Sequence, residues 1–165
     1  MTDTLRIIGI DPGSRITGYG IVEKRGSSFV HIDNGCLTTR AGDPMPRRLE
    51  QIYSGLTEIL AKYRPDAAAV EEIFFAKNVA SSLKLGEARG VAMLASVQSK
   101  IAVFEYATRE VKQALTGYGQ ATKDQIQKMV KAMLKLPEVA QEDASDALAV
   151  AICHLQSYKM RQVAV

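Results

Sequence analysis

Hydrophobic residues change their spacing along the chain, and the change separates strands from helices. Leu5–Ile10 is a short, mostly apolar run that ends at Asp11 and a Pro-Gly turn, which predicts a buried strand. Thr17–Glu23 places Tyr, Ile and Val among glycines, and Phe29–Thr38 alternates apolar and polar residues. These three strands follow one another closely, so the pattern predicts an antiparallel meander.

From Pro46 onward the apolar spacing becomes helical. The residues of one helical face are Leu49, Ile52, Tyr53, Leu56, Ile59 and Leu60. The remaining predicted elements are a strand over Ala67–Ile73, a helix over Ser81–Val97, a strand over Ile101–Tyr106, and helices over Arg109–Leu115, Lys123–Leu134 and Ala140 to about Tyr158. This order predicts an α/β fold with a mixed five-stranded sheet and helices on both faces.

Length and composition are typical of one globular domain over residues 1–165. The 165 residues are 47% hydrophobic, enough for one sizeable core and too few for two ordinary domains. Residues 1–11 lack the pattern of a secretory signal, and no apolar stretch approaches the roughly 20 residues of a membrane span. Cys36 and Cys153 show neither disulfide nor zinc-site spacing. We therefore expect a cytoplasmic protein with two reduced thiols.

Positive charge is concentrated in the middle of the chain. The net charge is only +3, but residues 74–135 contain 10 Lys and Arg against 4 Asp and Glu, an excess of 6. Such a block is typical of a surface that binds a polyanion, because neutralised phosphates release their counterions. A set of solvated helix surfaces would show the same count.

Acidic residues follow two of the predicted strands. Asp11 ends the first strand, at the sheet edge where open α/β sheets bind ligands, although Asp-Pro-Gly is also an ordinary turn sequence. Glu71 and Glu72 lie near the end of the fourth strand. Successive strand side chains point to opposite faces, so one of the two can join Asp11, and alternation leaves open which one.

Asp143 and Asp146 lie three residues apart at the start of the last helix, whose continuation is almost wholly apolar. This spacing places both carboxylates on one helical face, and acids also suit a helix N-terminus. Several carboxylates at one spot repel each other unless a cation neutralises them, and oxygen-only ligands favour Mg²⁺ or Mn²⁺. Two such ions would activate water for phosphodiester hydrolysis. His31 and His154 are interpreted as packing or surface residues.

The motifs, in order, resemble the bacterial RuvC Holliday-junction resolvases. They are Ile8–Ser14 with Thr17–Gly20, Val70–Phe74, Lys84–Gly86 with Arg89–Val91, Val111–Gln113, and Asp143–Ala149. Single matches are weak, but the ordered set is specific and covers nearly the whole chain. The resemblance implies a ribonuclease H-like fold, a homodimer, and symmetric nicking of two opposed strands of a four-way DNA junction during recombination and repair.

The same resemblance assigns roles to individual residues. The catalytic and metal-binding acids are Asp11, Glu71, Asp143 and Asp146, so that Glu71 rather than Glu72 is selected, with Mg²⁺ as cofactor, two ions per subunit, and Mn²⁺ as a substitute. The DNA-binding residues are Phe74, Lys112 and Lys123. Phe74, on a loop next to the acids, would stack on unpaired bases; whether Phe75 joins it is left open, and two core phenylalanines are the alternative interpretation. A branch-migration motor is implied as a partner by the resemblance alone.

Three other interpretations share some of these motifs. The segment Ile8–Ser14 is also similar to the phosphate loop of actin-like ATPases and sugar kinases, which need two such domains. An RNA nuclease of the same superfamily would share the acids, but the matches at Phe74, Lys112 and Lys123 argue against it. A junction-binding module without cutting activity would bind a polyanion better with neutral residues in place of the acids.

Overall fold

The computed structural model of the chain describes residues 4–72 and 78–162, with side chains up to residue 157. Within these residues there are five strands, β1 (Thr4–Asp11), β2 (Ile16–Arg25), β3 (Ser28–Thr38), β4 (Ala67–Glu71) and β5 (Ala102–Tyr106). The five helices of the same residues are α1 (Met45–Tyr63), α2 (Val79–Gln98), α3 (Thr108–Thr116), α4 (Lys123–Leu134) and α5 (Glu142–Gln162). Every predicted element is present, with ends that differ by a few residues.

The strands form one mixed sheet in the order β3-β2-β1-β4-β5. β1 pairs with β2 and β2 with β3 in antiparallel fashion, which confirms the meander, whereas β4 is parallel to both β1 and β5. The carboxyl ends of the three parallel strands therefore meet at one edge of the sheet, called here the carboxyl edge. β2 begins and β3 ends at the same edge.

Alternation along β1 divides the core into two layers. Ile7 packs with the buried residues of α3, α4 and α5. Ile8 and Ile10 point the other way and pack with the buried residues of α1 and α2. All three isoleucines are 0% exposed, so both faces of the central strand are covered. The prediction of helices on both faces is confirmed.

Glycines in the meander let α5 lie against the strands. A Cβ atom added at Gly9 would lie 1.8 Å from the carbonyl oxygen of Ala147, and one at Gly18 would lie 2.1 Å from that of Asp143. No side chain fits in that space, since real Cβ contacts are longer than 3.0 Å. The first turns of α5 consequently pack directly on β1 and β2, next to the carboxyl edge.

α2 begins two residues earlier than its spacing predicts. The Asn78 side chain caps the helix by accepting hydrogen bonds from the backbone N–H groups of Ala80, at 2.9 Å, and Ser81, at 3.4 Å. The fourth strand ends at Glu71, and the predicted continuation to Ile73 runs into residues outside the described ones. Among the helices described, none combines the length and apolar character needed to cross a membrane.

Candidate active site

The four predicted acids come from three elements that meet at the carboxyl edge. Asp11 is the last residue of β1 and Glu71 the last residue of β4, its parallel neighbour. Asp143 and Asp146 lie in the first turns of α5, which packs on β1 and β2. All four are half-buried. The fold thus gathers carboxylates that are as many as 135 residues apart in the sequence.

Burial and the charges of neighbouring groups shift the pKa values of these acids. Burial, followed by the charges of Asp146, Asp143 and Glu71, raises the pKa of Asp11 from 3.8 to about 7. Burial likewise raises the pKa of Glu71, while a hydrogen bond from Thr108 and the charges of Lys112 and Lys123 partly oppose the increase. Carboxylates that raise one another's pKa are strained by repulsion, and a cation between them would relieve it.

Glu71 and Glu72 lie in different surroundings. The Glu71 side chain faces a cleft that it shares with Asp146, and its charge interacts with that of Asp11. Glu72 is exposed, and its backbone N–H donates to the carbonyl oxygen of Tyr106 at 2.8 Å. The choice that strand alternation leaves open is therefore decided geometrically, and Glu71 is the residue that joins the other acids.

Both predicted DNA-binding lysines line the same cleft. The residues around it are Glu71, Thr108, Val111, Lys112, Lys123, Ile126, Asp146 and Ala149. Lys123 Nζ lies 3.3 Å from Asp146 Oδ2 and also pairs with Glu142. Lys112 contributes a positive charge beside Glu71. The cleft thus has acids at the sheet edge and two ammonium groups on the side of α3 and α4, an arrangement suited to holding a phosphate near the carboxylates.

Gln141 is a site residue that the sequence analysis misses. Its amide nitrogen donates to Asp143 Oδ2 at 2.9 Å, and its amide oxygen accepts from the backbone N–H groups of Asp143, at 2.8 Å, and Ala144, at 3.2 Å. It therefore caps α5 and orients Asp143 at the same time. The only signal in the sequence is a Gln two residues before an acid at a helix start, which is too common to be informative.

Two further side chains support Glu71. The Thr108 hydroxyl hydrogen-bonds its carboxylate from the start of α3. Arg89 on α2 donates from Nε to the Glu71 carbonyl oxygen at 3.3 Å, and its Nη2 lies 2.5 Å from Glu105 Oε1 on β5. The end of β4 is thus tied to a helix on each side of the sheet.

The cysteines and histidines have structural surroundings. Cys36 and Cys153 are both free thiols, as expected. Cys36 donates from Sγ to Gln141 Oε1 at 2.9 Å, and burial followed by the charge of Asp143 raises its pKa. His154 is fully buried, with Nδ1 2.6 Å from the Tyr106 hydroxyl. His31 is half-buried, with Nε2 2.6 Å from Asn34 Oδ1, so both histidines pack as predicted.

Phe74 and Phe75 lie outside the described residues, so their predicted stacking on bases stays a prediction. In residues 4–72 and 78–162, no group of three His, Cys, Asp or Glu side chains is already arranged to hold a metal ion. The donor set itself consists of carboxylate oxygens, which suits Mg²⁺ or Mn²⁺. The charges of the neighbouring acids add to burial in raising the pKa of Asp11, and a cation among these carboxylates would offset that repulsion. In these two respects the residues fit a divalent ion.

Comparison with known proteins gives concordant matches. The family model described as crossover junction endodeoxyribonuclease RuvC matches residues 7–154. The protein of that name from Geotalea uraniireducens is 58% identical over 153 residues, which cover 93% of this chain and 90% of that protein. The one from Syntrophotalea carbinolica is 57% identical over 159 residues, covering 96% and 99%.

Solved structures give the same result. The structure of Thermus thermophilus RuvC in complex with a Holliday junction substrate matches with a TM-score of 0.90 and 33% identity, over 95% of this chain and 96% of that chain. The yeast mitochondrial Holliday junction resolvase Ydc2 matches with a TM-score of 0.65 at 13% identity, over 96% and 84% of the two chains. The Ydc2 match supports the fold alone.

Proposed function

The chain belongs to the RuvC family of crossover junction endodeoxyribonucleases, and on this premise we propose that it resolves four-way DNA junctions by cutting two opposed strands. The observation that carries the proposal is the meeting of four acids from β1, β4 and α5 at the carboxyl edge, beside a cleft with two lysines. The ribonuclease H-like, mixed five-stranded architecture places them there.

The proposed cofactor is Mg²⁺, with Mn²⁺ as a substitute and two ions per subunit. Asp11, Glu71, Asp143 and Asp146 would hold the ions, after side-chain rotations that bring their oxygens to ligand distance. When bound, the metal supplies an activated water and stabilises the leaving oxygen of the phosphodiester. The four carboxylates would otherwise repel DNA, and bound metal would account for their place beside a cleft that holds a phosphate.

The protein's own groups position the reactants. Lys112 and Lys123 approach the cleft from the side opposite the sheet and would hold the phosphate that is cut. Thr108 and Gln141 fix the carboxylates of Glu71 and Asp143 by hydrogen bonds. Lys123, which already pairs with Asp146, would keep positive charge beside the reacting phosphate. Phe74 would stack on a base near the junction centre, where pairing is already interrupted.

We propose that the active species is a homodimer, because symmetric cutting of two strands needs two sites related by a two-fold axis. α2 supports this proposal. Its buried residues Ala88, Ala92 and Ala95 face the core, and the opposite side of the helix exposes an apolar stripe. The exposed fractions along the stripe are Val79 76%, Leu83 64%, Leu94 50% and Val97 60%.

The stripe also contains glycines, which favour close helix packing. Gly86 and Gly90 lie between the apolar residues at helical spacing, and a Cβ atom at either would meet open space within the subunit. A second copy of α2 can therefore approach closely there. A bacterial cytoplasmic location and a branch-migration motor as partner are further proposals, made because the relatives named above are bacterial RuvC proteins.

Nick mapping on labelled nucleic acids tests the proposed function. With Mg²⁺, we expect paired nicks at symmetric positions in opposed strands of a synthetic four-way DNA junction, and ends that DNA ligase can seal. A linear DNA duplex and an RNA–DNA hybrid of the same sequence serve as controls. Cleavage of the hybrid in preference to the junction would instead favour the RNA nuclease.

A further inference from the structure

Arginines from the first third of the chain meet beside the acids, on the side of the sheet away from the lysines. Asp11 pairs with Gly18 of β2, and β2 extends two residues beyond that pair to Ile16, which is about 7 Å at the rise of a strand. Arg15 precedes Ile16, so it projects beyond the level of Asp11. Ile16 in turn pairs with Thr38 at the end of β3.

Thr39, which follows β3, forms hydrogen bonds to the turn after Asp11. Its backbone N–H donates to the Arg15 carbonyl oxygen at 2.9 Å, and its hydroxyl donates to the Ser14 carbonyl oxygen at 2.8 Å. Thr39 is only 8% exposed, whereas Arg15 and Arg40 are both exposed. The two arginines are thereby fixed at neighbouring positions of the carboxyl edge.

The segment from Arg40 to Asp43, which follows Thr39, is hydrogen-bonded to α1. The Arg40 backbone N–H donates to Gln51 Oε1 at 3.0 Å, and Gln51 Nε2 donates to Asp43 Oδ2 at 2.6 Å. Arg40 and Arg47 line one surface cleft between this segment and the first turns of α1, together with Glu50 and with Asp43, whose carboxylate accepts from Gln51. Arg15, Arg40 and Arg47 are called here the arginine patch.

The charges of the arginine patch are largely available. In the part of the chain that the structure describes, the guanidinium groups of Arg15 and Arg40 form no hydrogen bond or ion pair with protein groups. Arg47 Nη1 lies 2.7 Å from Glu50 Oε2, with the two side chains 70% and 60% exposed. An exposed pair of this kind is weak, so Arg47 can exchange Glu50 for another anion.

The position of the patch relative to the acids suggests its ligand. β3 lies two strands from β1, about 10 Å at the usual strand spacing. One DNA strand has a phosphate about every 3.4 Å of helix axis. A strand whose cut phosphate lies between the acids and the lysines would therefore place phosphates two or three nucleotides away at the arginine patch.

We propose that the arginine patch binds the backbone of the cut strand two or three nucleotides from the cut bond, on the β3 side of the acids. This proposal rests on the proposed function, since it takes the acids as the position of the cut. With Lys112 and Lys123 on the other side, the strand would be held on both sides of the reacting phosphate. Guanidinium groups suit this role, because they bind phosphate oxygens in bidentate fashion.

Salt-dependent DNA binding in EDTA tests the proposal without cleavage. We expect Arg15→Gln/Arg40→Gln to lower the slope of log Kd against log salt by about 1.8 for each subunit that contacts DNA, with an affinity loss on the order of 10- to 60-fold at 0.1 M salt. Glu50→Gln is expected to tighten binding by about 1.5- to 5-fold, since it releases Arg47. A misfolded variant would not give that gain.

The matched control removes equal charge from the other end of α1. Lys62 and Arg64 are exposed there, about 22 Å from Arg47 at the rise of a helix, and Lys62→Gln/Arg64→Gln should leave the salt slope unchanged. Thermal unfolding should be the same for all three variants and the wild type. An unchanged slope for Arg15→Gln/Arg40→Gln, or an equal loss in the control, would overturn the proposal.

Neutral methylphosphonates locate the contact. Each junction carries a single methylphosphonate at one position of the cut strand. A methylphosphonate two or three nucleotides from the cut should weaken binding by the wild type. The same substitution should leave the affinity of Arg15→Gln/Arg40→Gln unchanged. The slopes are also measured on single-stranded and duplex DNA. If the protein does not bind the junction in preference to these DNAs, the proposed function is wrong. The salt slopes of the variants would still show whether the arginine patch binds phosphates. If no DNA is bound at all, both proposals are wrong.

Discussion

Gln141 links the fold of α5 to the orientation of Asp143, one of the acids proposed to hold the metal. Its amide oxygen caps the helix, and its amide nitrogen holds Asp143 Oδ2. The two roles can be separated, because glutamate retains the capping oxygen and lacks the donor. Gln141→Glu would also place a negative charge beside Asp143.

We expect Gln141→Glu to lower the rate of junction cleavage by about 10- to 100-fold, the range typical of residues that orient metal ligands, with little change in thermal stability. The cleavage rate should recover partly at high Mg²⁺ concentration. Gln125→Glu is the matched control, since Gln125 accepts from the Thr122 backbone N–H at the start of α4 and retains that ability as glutamate. Equal rates for Gln141→Glu and the control would refute the positioning role.

The pKa of Asp11 makes the metal-free protein sensitive to pH. Burial and the neighbouring acids raise this pKa from 3.8 to about 7, so the folded protein binds the Asp11 proton more tightly than the unfolded chain. The resulting penalty is absent below about pH 4, grows as the pH rises, and is complete above about pH 7. It amounts to at most about 4 kcal/mol, before discounting for the partial exposure of the carboxylate.

Urea unfolding in EDTA measures this penalty. Asp11→Asn should match the wild type at pH 4 and exceed its free energy of unfolding by about 1 to 4 kcal/mol at pH 8. Asp124→Asn, which alters an exposed acid of α4, should show no such pH-dependent gain. Parallel pH profiles for Asp11→Asn and the wild type would show that the acids are not crowded as described.

At the scale of elements, α2 has two faces with different roles. Its alanines pack on the sheet, and its apolar stripe has no partner within the described residues of one subunit. Exposed stripes of this kind are typical of protein interfaces. Two such stripes related by a two-fold axis would bury their leucines and valines against each other.

Sedimentation of a double variant tests this interface. Leu83→Asp/Leu94→Asp would bury unpaired charges, so we expect the dissociation constant of the dimer to increase by roughly 100-fold or more. Lys84→Asp alters an exposed residue of the same helix outside the stripe and should leave the dimer intact. A wild type that sediments as a monomer at micromolar concentration would contradict the homodimer itself.

Local pattern predicts the elements well and their contacts less well. The spacing of apolar residues shows which side of an element faces the core. On this basis the isoleucines of β1 and the apolar face of α1 are predicted to be buried, and both are buried. Spacing alone does not separate Glu71 from Glu72, since alternation does not state which face of β4 meets α5, and only the family resemblance selects Glu71. The close approach of α5 at Gly18 depends on tertiary packing, which no local spacing encodes.

Across the whole molecule, charge counts along the sequence locate only part of the basic surface. Residues 1–73 contain 9 basic and 10 acidic residues and look neutral. In the fold, Glu23 is buried between Arg6 and Arg25, at 2.8 and 2.7 Å, and Asp33 accepts from two tyrosines. Asp11 and Glu71 belong to the acid cluster. Of the remaining acids, Asp43 and Glu50 line the cleft of the arginine patch, where the three arginines outnumber them, although the linear count conceals this excess.

Cleavage of a synthetic four-way DNA junction by the wild type, Asp143→Asn and Asp124→Asn tests the central claim most directly. With Mg²⁺, we expect paired symmetric nicks from the wild type and from Asp124→Asn, a rate lower by roughly 100-fold or more for Asp143→Asn, and no cleavage in EDTA. A linear duplex should remain uncut. Binding of the junction without cleavage under Mg²⁺ or Mn²⁺, or full activity of Asp143→Asn, would contradict a metal-dependent resolvase with its active site at these acids.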